Sequence, residues 1–306
     1  MPHILSTNPS FVSRRQILAA SGLGLLGFST HGFAGQVTDA AGHVIVVSTT
    51  KRIVSIGSAS TEILVELGFA DNIVAIDSTS KGVLAEGKVP DIGYMRALAA
   101  EGILAQTPDL IVATMDSGPK EVIEALRASG VPLLQLPVEP TVNGIITKIS
   151  MLGVVLDVKD KAGSLSTRIK QQADDLSKRV ALVKSSPKAL FILGMGGNRL
   201  TVGGAGTAAN AVLEMAGAQN IAKDLEGYKP FSPELVVATP PDVVVMMVNG
   251  GHEAAVAKLY ENAALAATPA AKNKAVFPVD GAALLSFGTR TLDQAVMLAE
   301  KLHGKV

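Results

Sequence analysis

TVNGIITKISMLGVVLDVKDKAGSLSTRIKQQADDLSKRVALVK, residues 141–184, is the stretch whose reading decides the fold. It has no internal Pro and almost no β-branched alternation. Apolar residues return at helical spacing at Ile145, Ile149, Leu152 and Leu156, and again at Leu165, Ile169 and Leu176. Gly153 and Gly163 weaken this pattern without breaking it. The spacing predicts one long helix, or two in series, of about forty residues. That is too long for a crossover inside one small domain, since globular helices usually run to roughly 20 residues. It fits a rigid connector between two lobes.

On both sides of this stretch, strand and helix patterns alternate. Before it, residues 36–47 read as a hairpin turning at Ala41-Gly42, and Arg52-Ile53-Val54-Ser55-Ile56-Gly57 as a buried strand. Ser58 and Ser60 offer N-caps for a helix over 61–67. Strands follow at 73–76, 110–113 and 132–136, with helices at 101–105 and 119–129. After it come a strand at 190–193, a Gly-rich loop at 194–206, a helix at 208–216, strands at 243–248 and 275–279, and helices at 254–260 and 291–303. This alternation is the mark of doubly wound sheets. The two halves also resemble each other. Glu101 is followed by Pro108-Asp109 and an apolar strand, and Glu234 at the same offsets by Pro241-Asp242 and another. Glu66 with Asn72-Ile73 likewise mirrors Glu214 with Asn220-Ile221. The expected architecture is therefore α/β: two doubly wound lobes, 35–140 and 185–306, joined by a long bridging helix over 141–184. The ligand cleft would lie between the lobes, at the carboxyl ends of their strands.

Residues 1–34 read as an address. Ser13-Arg14-Arg15-Gln16-Ile17-Leu18 is a twin-arginine pattern, followed by an apolar run and by Gly32-Phe33-Ala34, which suits a signal peptidase. The run from Ile17 to Phe28 is too short to span a bilayer, which takes about twenty residues. No Cys follows to carry a lipid anchor, so the expected location is the periplasm, without an anchor. Removing Arg14 and Arg15 with this segment leaves 25 of the 27 basic residues against 27 acidic ones, which gives no electrostatic case for nucleic acid. The absence of Cys excludes disulfides, thiolate metal sites and Cys nucleophiles.

Enzyme constellations are thinly represented. Gly194-Met195-Gly196-Gly197-Asn198-Arg199 lacks the Lys and Ser/Thr of a P-loop, and Arg199 stands where a dinucleotide fingerprint has Gly. No Gly-x-Ser-x-Gly elbow occurs. Of the histidines beyond the address segment, His43, His252 and His303, none lies within metal-ligand spacing of another; only His252, following Gly250-Gly251, is placed to face a cleft. Tyr94, in Asp91-Ile92-Gly93-Tyr94-Met95-Arg96, stands out. A phenolate is a hard anionic donor suited to ferric iron, and tyrosine serves as an axial haem ligand in some proteins. A tyrosine pKa near 10 means that losing the proton needs help, and a nearby cation gives it. Arg96 shares a face with Tyr94 if the segment is extended. A loop tyrosine that simply packs remains the bland alternative.

Arg52 to Gly57, Thr61-Glu62-Ile63-Leu64, Gly93-Tyr94, Glu101-Gly102-Ile103-Leu104 and Pro108-Asp109, with Phe231-Ser232-Pro233-Glu234 and Pro241-Asp242 in the second half, resemble the periplasmic binding proteins of ABC importers for haem, ferric siderophores and cobalamin. Gly93-Tyr94-Met95-Arg96-Ala97-Leu98 resembles the haem-binding branch. The resemblance implies two α/β lobes bridged by a long helix, and a ferric haem cargo with Tyr94 on the iron and Arg96 assisting it. It implies Glu101 and Glu234 as docking points for an inner-membrane permease with its cytoplasmic ATPase, and an outer-membrane haem receptor system upstream. Some relatives add a second-lobe histidine; here Met195 occupies the region where one would be sought. Arg199 and Arg290 are candidates to pair with haem propionates. A siderophore or cobalamin carrier and an exported α/β enzyme are the alternatives.

Overall fold

The computed structural model describes residues 34–196, 199–248 and 252–304. Apart from Ala34, the expected export signal lies outside the described residues. No helix among the described residues is long and apolar enough to cross a membrane.

A hairpin of β1 (Ala34–Thr38) and β2 (Val44–Val47) leads in. Then follow β3 (Ile53–Ser55), α1 (Ser58–Glu66), β4 (Ile73–Ile76), α2 (Ala100–Leu104), β5 (Leu110–Thr114), α3 (Lys120–Ala128) and β6 (Leu133–Leu136). The four strands from β3 to β6 form a parallel sheet in the order β4-β3-β5-β6. Every residue of β3, β5 and β6 is buried, as expected of parallel strands covered on both faces. Within this sheet Ile53, Leu110 and Val112 enter one hydrophobic cluster, while Val54, Ile111 and Ala113 enter another on the opposite face. Helix α1 departs from the capping expectation. Its N-cap is Gly57, at φ 95°, and Ser58 lies inside the first turn with its hydroxyl on Glu62.

The connector is two helices in series, α4 (Val142–Val155) and α5 (Lys159–Ala181), with α4 capped by the Thr141 hydroxyl at 2.9 Å from the Gly144 N–H. The break falls at Leu156-Asp157-Val158, where Asp157 takes a positive φ of 55°. Gly153 has a packing reason: a Cβ there would lie 2.3 Å from the Cβ of Ala162, so the two helices meet through Gly153.

The second lobe comprises β7 (Lys188–Gly196), β8 (Arg199–Gly203), α6 (Ala208–Met215), β9 (Gln219–Asn220), β10 (Tyr228–Phe231), α7 (Pro233–Ala238) and β11 (Val243–Val248). It continues with α8 (His252–Glu261), α9 (Ala263–Ala266), α10 (Pro269–Lys272), β12 (Val276–Asp280), α11 (Gly281–Leu285) and α12 (Thr291–His303). Its sheet runs β10-β8-β7-β11-β12, with β9 also on β7. The core strands β7, β11 and β12 are parallel; β8 is antiparallel to β7, and β10 is antiparallel to β8. The expected Gly-rich loop over 194–206 is thus largely the end of β7 and the whole of β8. Leu200 and Val202 are buried while Arg199 and Thr201 are more exposed, the period of a strand, until Gly203, which is also buried.

The largest hydrophobic cluster runs from Ile63 and Val112 in the first lobe through Ile149, Leu152 and Ile169 of the connector to Phe191, Val245 and Leu292 in the second. The sequence repeat has a structural counterpart. Asp109 accepts the backbone N–H groups of Lys51 and Arg52, each at 3.0 Å, tying the entry of β5 to that of β3. Asp242 accepts the N–H of Lys188 at 3.0 Å, tying β11 to β7 in the same way.

Candidate functional site

Tyr94 sits on the segment between β4 and α2, and that segment is pinned from several directions. Gly93, at φ 94°, turns the chain; its N–H is held by the Asp91 carboxylate at 2.8 Å, and its carbonyl accepts from Ser78 at 2.9 Å. The Met95 carbonyl accepts from Gly118, and the Gly118 carbonyl from Leu98. Met95 and Leu98 are buried against the outer cluster of the first lobe. Met95 turns inward while Tyr94 and Arg96 meet on the exposed side, but the segment is a turn and not the extended stretch expected: the Tyr94 carbonyl accepts the Ala97 N–H at 2.8 Å. Tyr94 is 45 % exposed.

Arg96 Nη1 donates to the Tyr94 phenol oxygen at 2.7 Å, and the guanidinium lies 5.9 Å from the ring centroid. Arg96 Nη2 pairs with Asp116, whose other oxygen accepts the Thr114 hydroxyl at 2.7 Å. Burial acts to lower the Arg96 pKa, but the Tyr94 hydrogen bond and the charge of Asp116 outweigh it and hold the guanidinium above its usual value. Met115 and Val138, just beyond the ends of β5 and β6, are exposed apolar side chains at the same carboxyl edge of the sheet. A phenol oxygen backed by a fixed cation, on a sheet edge that also carries exposed apolar side chains, can hold a largely apolar ligand with an electrophilic centre.

The second lobe places its candidates differently. Arg290 does not offer a free guanidinium: its Nε donates to Glu62 at 3.0 Å, and its backbone N–H donates to the same carboxylate at 3.0 Å. Glu62, on α1 of the first lobe, is 2 % exposed and also accepts the Ser58 hydroxyl at 2.8 Å. Burial is the largest influence on this carboxyl and pushes its pKa up, against the pull of Arg290. Met195 is half-buried against the outer cluster of the second lobe. Arg199 is exposed at the start of β8, opposite Gly196 across the hairpin. His252 begins α8, and its side chain lies outside the described part of the structure. His303 bonds the Ala216 carbonyl at 2.9 Å. Glu101 and Glu234 each stand exposed in the first turn of a short helix, α2 and α7, where the helix dipole favours a carboxylate.

Three residues brought to this region were not singled out from the sequence. Asp116 completes the Arg96 pair. Tyr228, on β10, is near enough to Arg96 for its charge to act on the phenol, although burial dominates and raises the Tyr228 pKa. Lys148, on α4, is 1 % exposed, and the charges of Asp116, Glu62 and Glu139 act on it at range. Among the described residues no cluster of three His, Asp or Glu side chains is arranged to hold a metal ion. A cavity of about 660 Å³ lies apart from Tyr94, lined by Ile146, Leu176, Val180, Met215 and Leu292 of the connector and second lobe.

Residues 53–283 match the periplasmic binding protein family, most of the chain. The chain belongs to that family. Among curated relatives, this periplasmic binding protein is 25 % identical over 278 residues to the uncharacterized ABC transporter substrate-binding lipoprotein YvrC of Bacillus subtilis, covering 90 % of this chain and 87 % of the relative. It is 27 % identical over 198 residues to the vitamin B12-binding protein of Yersinia pestis, covering 64 % and 69 %. Among solved structures, a periplasmic heme-binding protein from Pseudomonas aeruginosa is 32 % identical, with 84 % of this chain and 94 % of that one covered and a TM-score of 0.79. The two-lobed α/β architecture expected from the sequence is thus the architecture of the family.

Proposed function

We propose that this periplasmic binding protein captures ferric haem in its cleft and delivers it to an ABC permease of the inner membrane, catalysing no reaction. The observation that carries this reading is the half-exposed Tyr94, its phenol oxygen held by Arg96 at 2.7 Å, with Arg96 paired in turn to Asp116, which follows the exposed Met115 at the end of β5. The phenol would lose its proton on meeting ferric iron, and the guanidinium would stabilise the resulting anionic oxygen. The porphyrin would lie against the exposed apolar side chains of that sheet edge. The heme-binding protein of Pseudomonas aeruginosa, at 32 % identity over nearly its whole length, supports haem over the other cargoes of such proteins. Glu101 and Glu234, at matching places in the two lobes, would meet the permease. The twin-arginine pattern at Arg14-Arg15 would direct export to the periplasm, with no Cys in the sequence to carry a lipid. An outer-membrane receptor would supply the haem.

Hemin titration followed by absorbance tests this. The expected result is saturable binding with a tyrosinate-type ferric spectrum that Tyr94→Phe abolishes. An unchanged spectrum in Tyr94→Phe sinks the site. Because the Yersinia relative is a vitamin B12-binding protein, cobalamin is the competitor to include; cobalamin displacing hemin at equal concentration would reverse the cargo assignment.

A further inference from the structure

Asp77 follows directly on β4 and is fully buried. Four uncharged donors close on its carboxylate. Oδ1 accepts the Gly57 N–H at 2.8 Å and the Ser80 hydroxyl at 2.7 Å; Oδ2 accepts the Thr79 N–H at 2.9 Å and the Thr79 hydroxyl at 2.6 Å. A carboxylate out of reach of water is costly unless its lone pairs are filled in this way. Ser80 extends the set inward: its oxygen accepts the Thr61 hydroxyl at 2.8 Å, and the Thr61 and Ser55 hydroxyls are themselves 2.8 Å apart. The ends of β3 and β4 and the start of α1 are thereby tied together. The chemistry requires a carboxylate, which has two acceptor oxygens and no hydrogen; an Asn amide would turn its NH₂ against two of these donors.

The reach of Asp77 extends to the candidate site through the single 3₁₀ turn Ser78–Ser80, which it caps. The Ser78 N–H, at the start of that turn, donates to the Gly93 carbonyl at 2.9 Å. The Thr79 hydroxyl oxygen lies 3.9 Å from the Met95 sulfur. Gly93 and Met95 flank Tyr94 in the chain. Gly93 has no packing of its own to fix it, since nothing lies within 4 Å of where its Cβ would stand. Its place is set by hydrogen bonds, from Ser78 to its carbonyl and from its own N–H to Asp91. Arg96 acts on the phenol oxygen itself; Asp77 acts on the backbone that carries the phenol.

We infer that Asp77 is a positioning residue for the ligand site: its carboxylate shapes the Ser78–Ser80 turn, and that turn sets the Gly93 carbonyl and the Met95 side chain, and with them the place of the Tyr94 oxygen. The carboxylate touches no ligand. It works from behind the loop, in a buried polar cluster whose hydroxyls leave it little freedom to shift. Its consequence for hemin rests on the function proposed above; the positioning itself does not.

The test has two arms. In the ligand-free protein, Asp77→Asn should speed hydrogen exchange of the Ser78 amide by about tenfold, while the amides of β5 keep their rates. An unchanged Ser78 rate overturns the inference whether or not hemin binds. In the hemin arm, Asp77→Asn should bind about tenfold more weakly and shift the tyrosinate-to-iron charge-transfer band. Asp39→Asn is the control, because Asp39 is another buried carboxylate of the first lobe, tied to the hairpin turn and Arg127 and not to the Tyr94 loop. It should leave the band in place even where it lowers stability as much. A band at the wild-type position in Asp77→Asn, or an equal shift in Asp39→Asn, overturns the inference. A wild-type protein that ignores hemin while Ser78 exchange responds as expected defeats the haem reading and leaves the positioning role standing. Should Asp77→Asn not fold, Thr79→Val takes its place in both arms, since it removes one donor from the same carboxylate and keeps the side-chain shape.

Discussion

The two lobes face the candidate site with residues of different freedom. On the first lobe, Tyr94 and Arg96 stand on a loop tied down through Gly93, Met95 and Leu98, and their polar atoms point outward with Asp116 behind them. On the second lobe, Arg290 is committed to Glu62 and Met195 to the hydrophobic cluster, while Arg199 is charged and exposed. One lobe presents a prepared donor, and the other invests its best-placed cation in contact with its neighbour. Under the function proposed above, cargo would be recognised chiefly from the first lobe, with the second completing the enclosure.

That contrast can be broken most forcefully at Arg290. Arg290→Met leaves the Glu62 carboxylate buried without its cation, and we expect a loss of about 3 kcal/mol in urea unfolding. Hemin affinity of the still-folded protein should stay within about threefold. A large affinity loss with little loss of stability would make Arg290 a cargo ligand and erase the difference between the lobes. Tyr94→Phe should do the reverse. Hemin affinity falls about a hundredfold, or ~2.7 kcal/mol, while the unfolding midpoint hardly moves, because the phenol oxygen is exposed.

Buried Lys148 gives a pH test. The folded-state pKa of Lys148 is about 8, below its ordinary 10.5, because burial disfavours the charged form. Between those values the unfolded chain keeps a proton that the folded chain has released, so stability rises with pH across that window. Below pH 8 the cost of burying the charge is present in full. From pH 7.5 to 9.5 we expect a gain on the order of 2 kcal/mol, read by denaturant unfolding and missing in Lys148→Met. Glu62 works oppositely at acid pH. Its raised pKa makes stability fall as pH climbs through the range just above 4.5. The smallest expected effect is at Arg199. Arg199→Ala should weaken hemin by less than about threefold, the scale of an exposed ion pair. A tenfold loss would give the second lobe a recognition role equal to the first.

Much of the frame was legible because its signals are local. Helical spacing over 141–184, buried strands such as Leu110 to Ala113, and the repeated Pro-Asp pairs each lie within a short window, and each has its counterpart in the structure. The break at Asp157 was not legible: the stretch allowed one helix or two, and the corner depends on Gly153 meeting Ala162. Strand β8 hid among glycines because the run around it reads as a turn, although Leu200 and Val202 alternate as a strand should. Tyr94 and Arg96 were noticed together because they stand two residues apart, but what joins them is a turn closed from Tyr94 to Ala97, which the extended reading did not foresee. Lys148 left a signal that could have been followed, a charge in an otherwise apolar helical row.

The sequence by itself determined the α/β alternation, the helical connector, the duplicated strand ties and the Tyr94–Arg96 pair, since each depends on residues close along the chain. Only the tertiary structure decided what Arg290 does, because its partner Glu62 stands 228 residues away. Only the structure, too, set Asp116 beside Arg96 and Lys148 within the reach of three carboxylates. Long-range electrostatic partners are chosen by how sheets and helices pack, and no local pattern of residues records that choice.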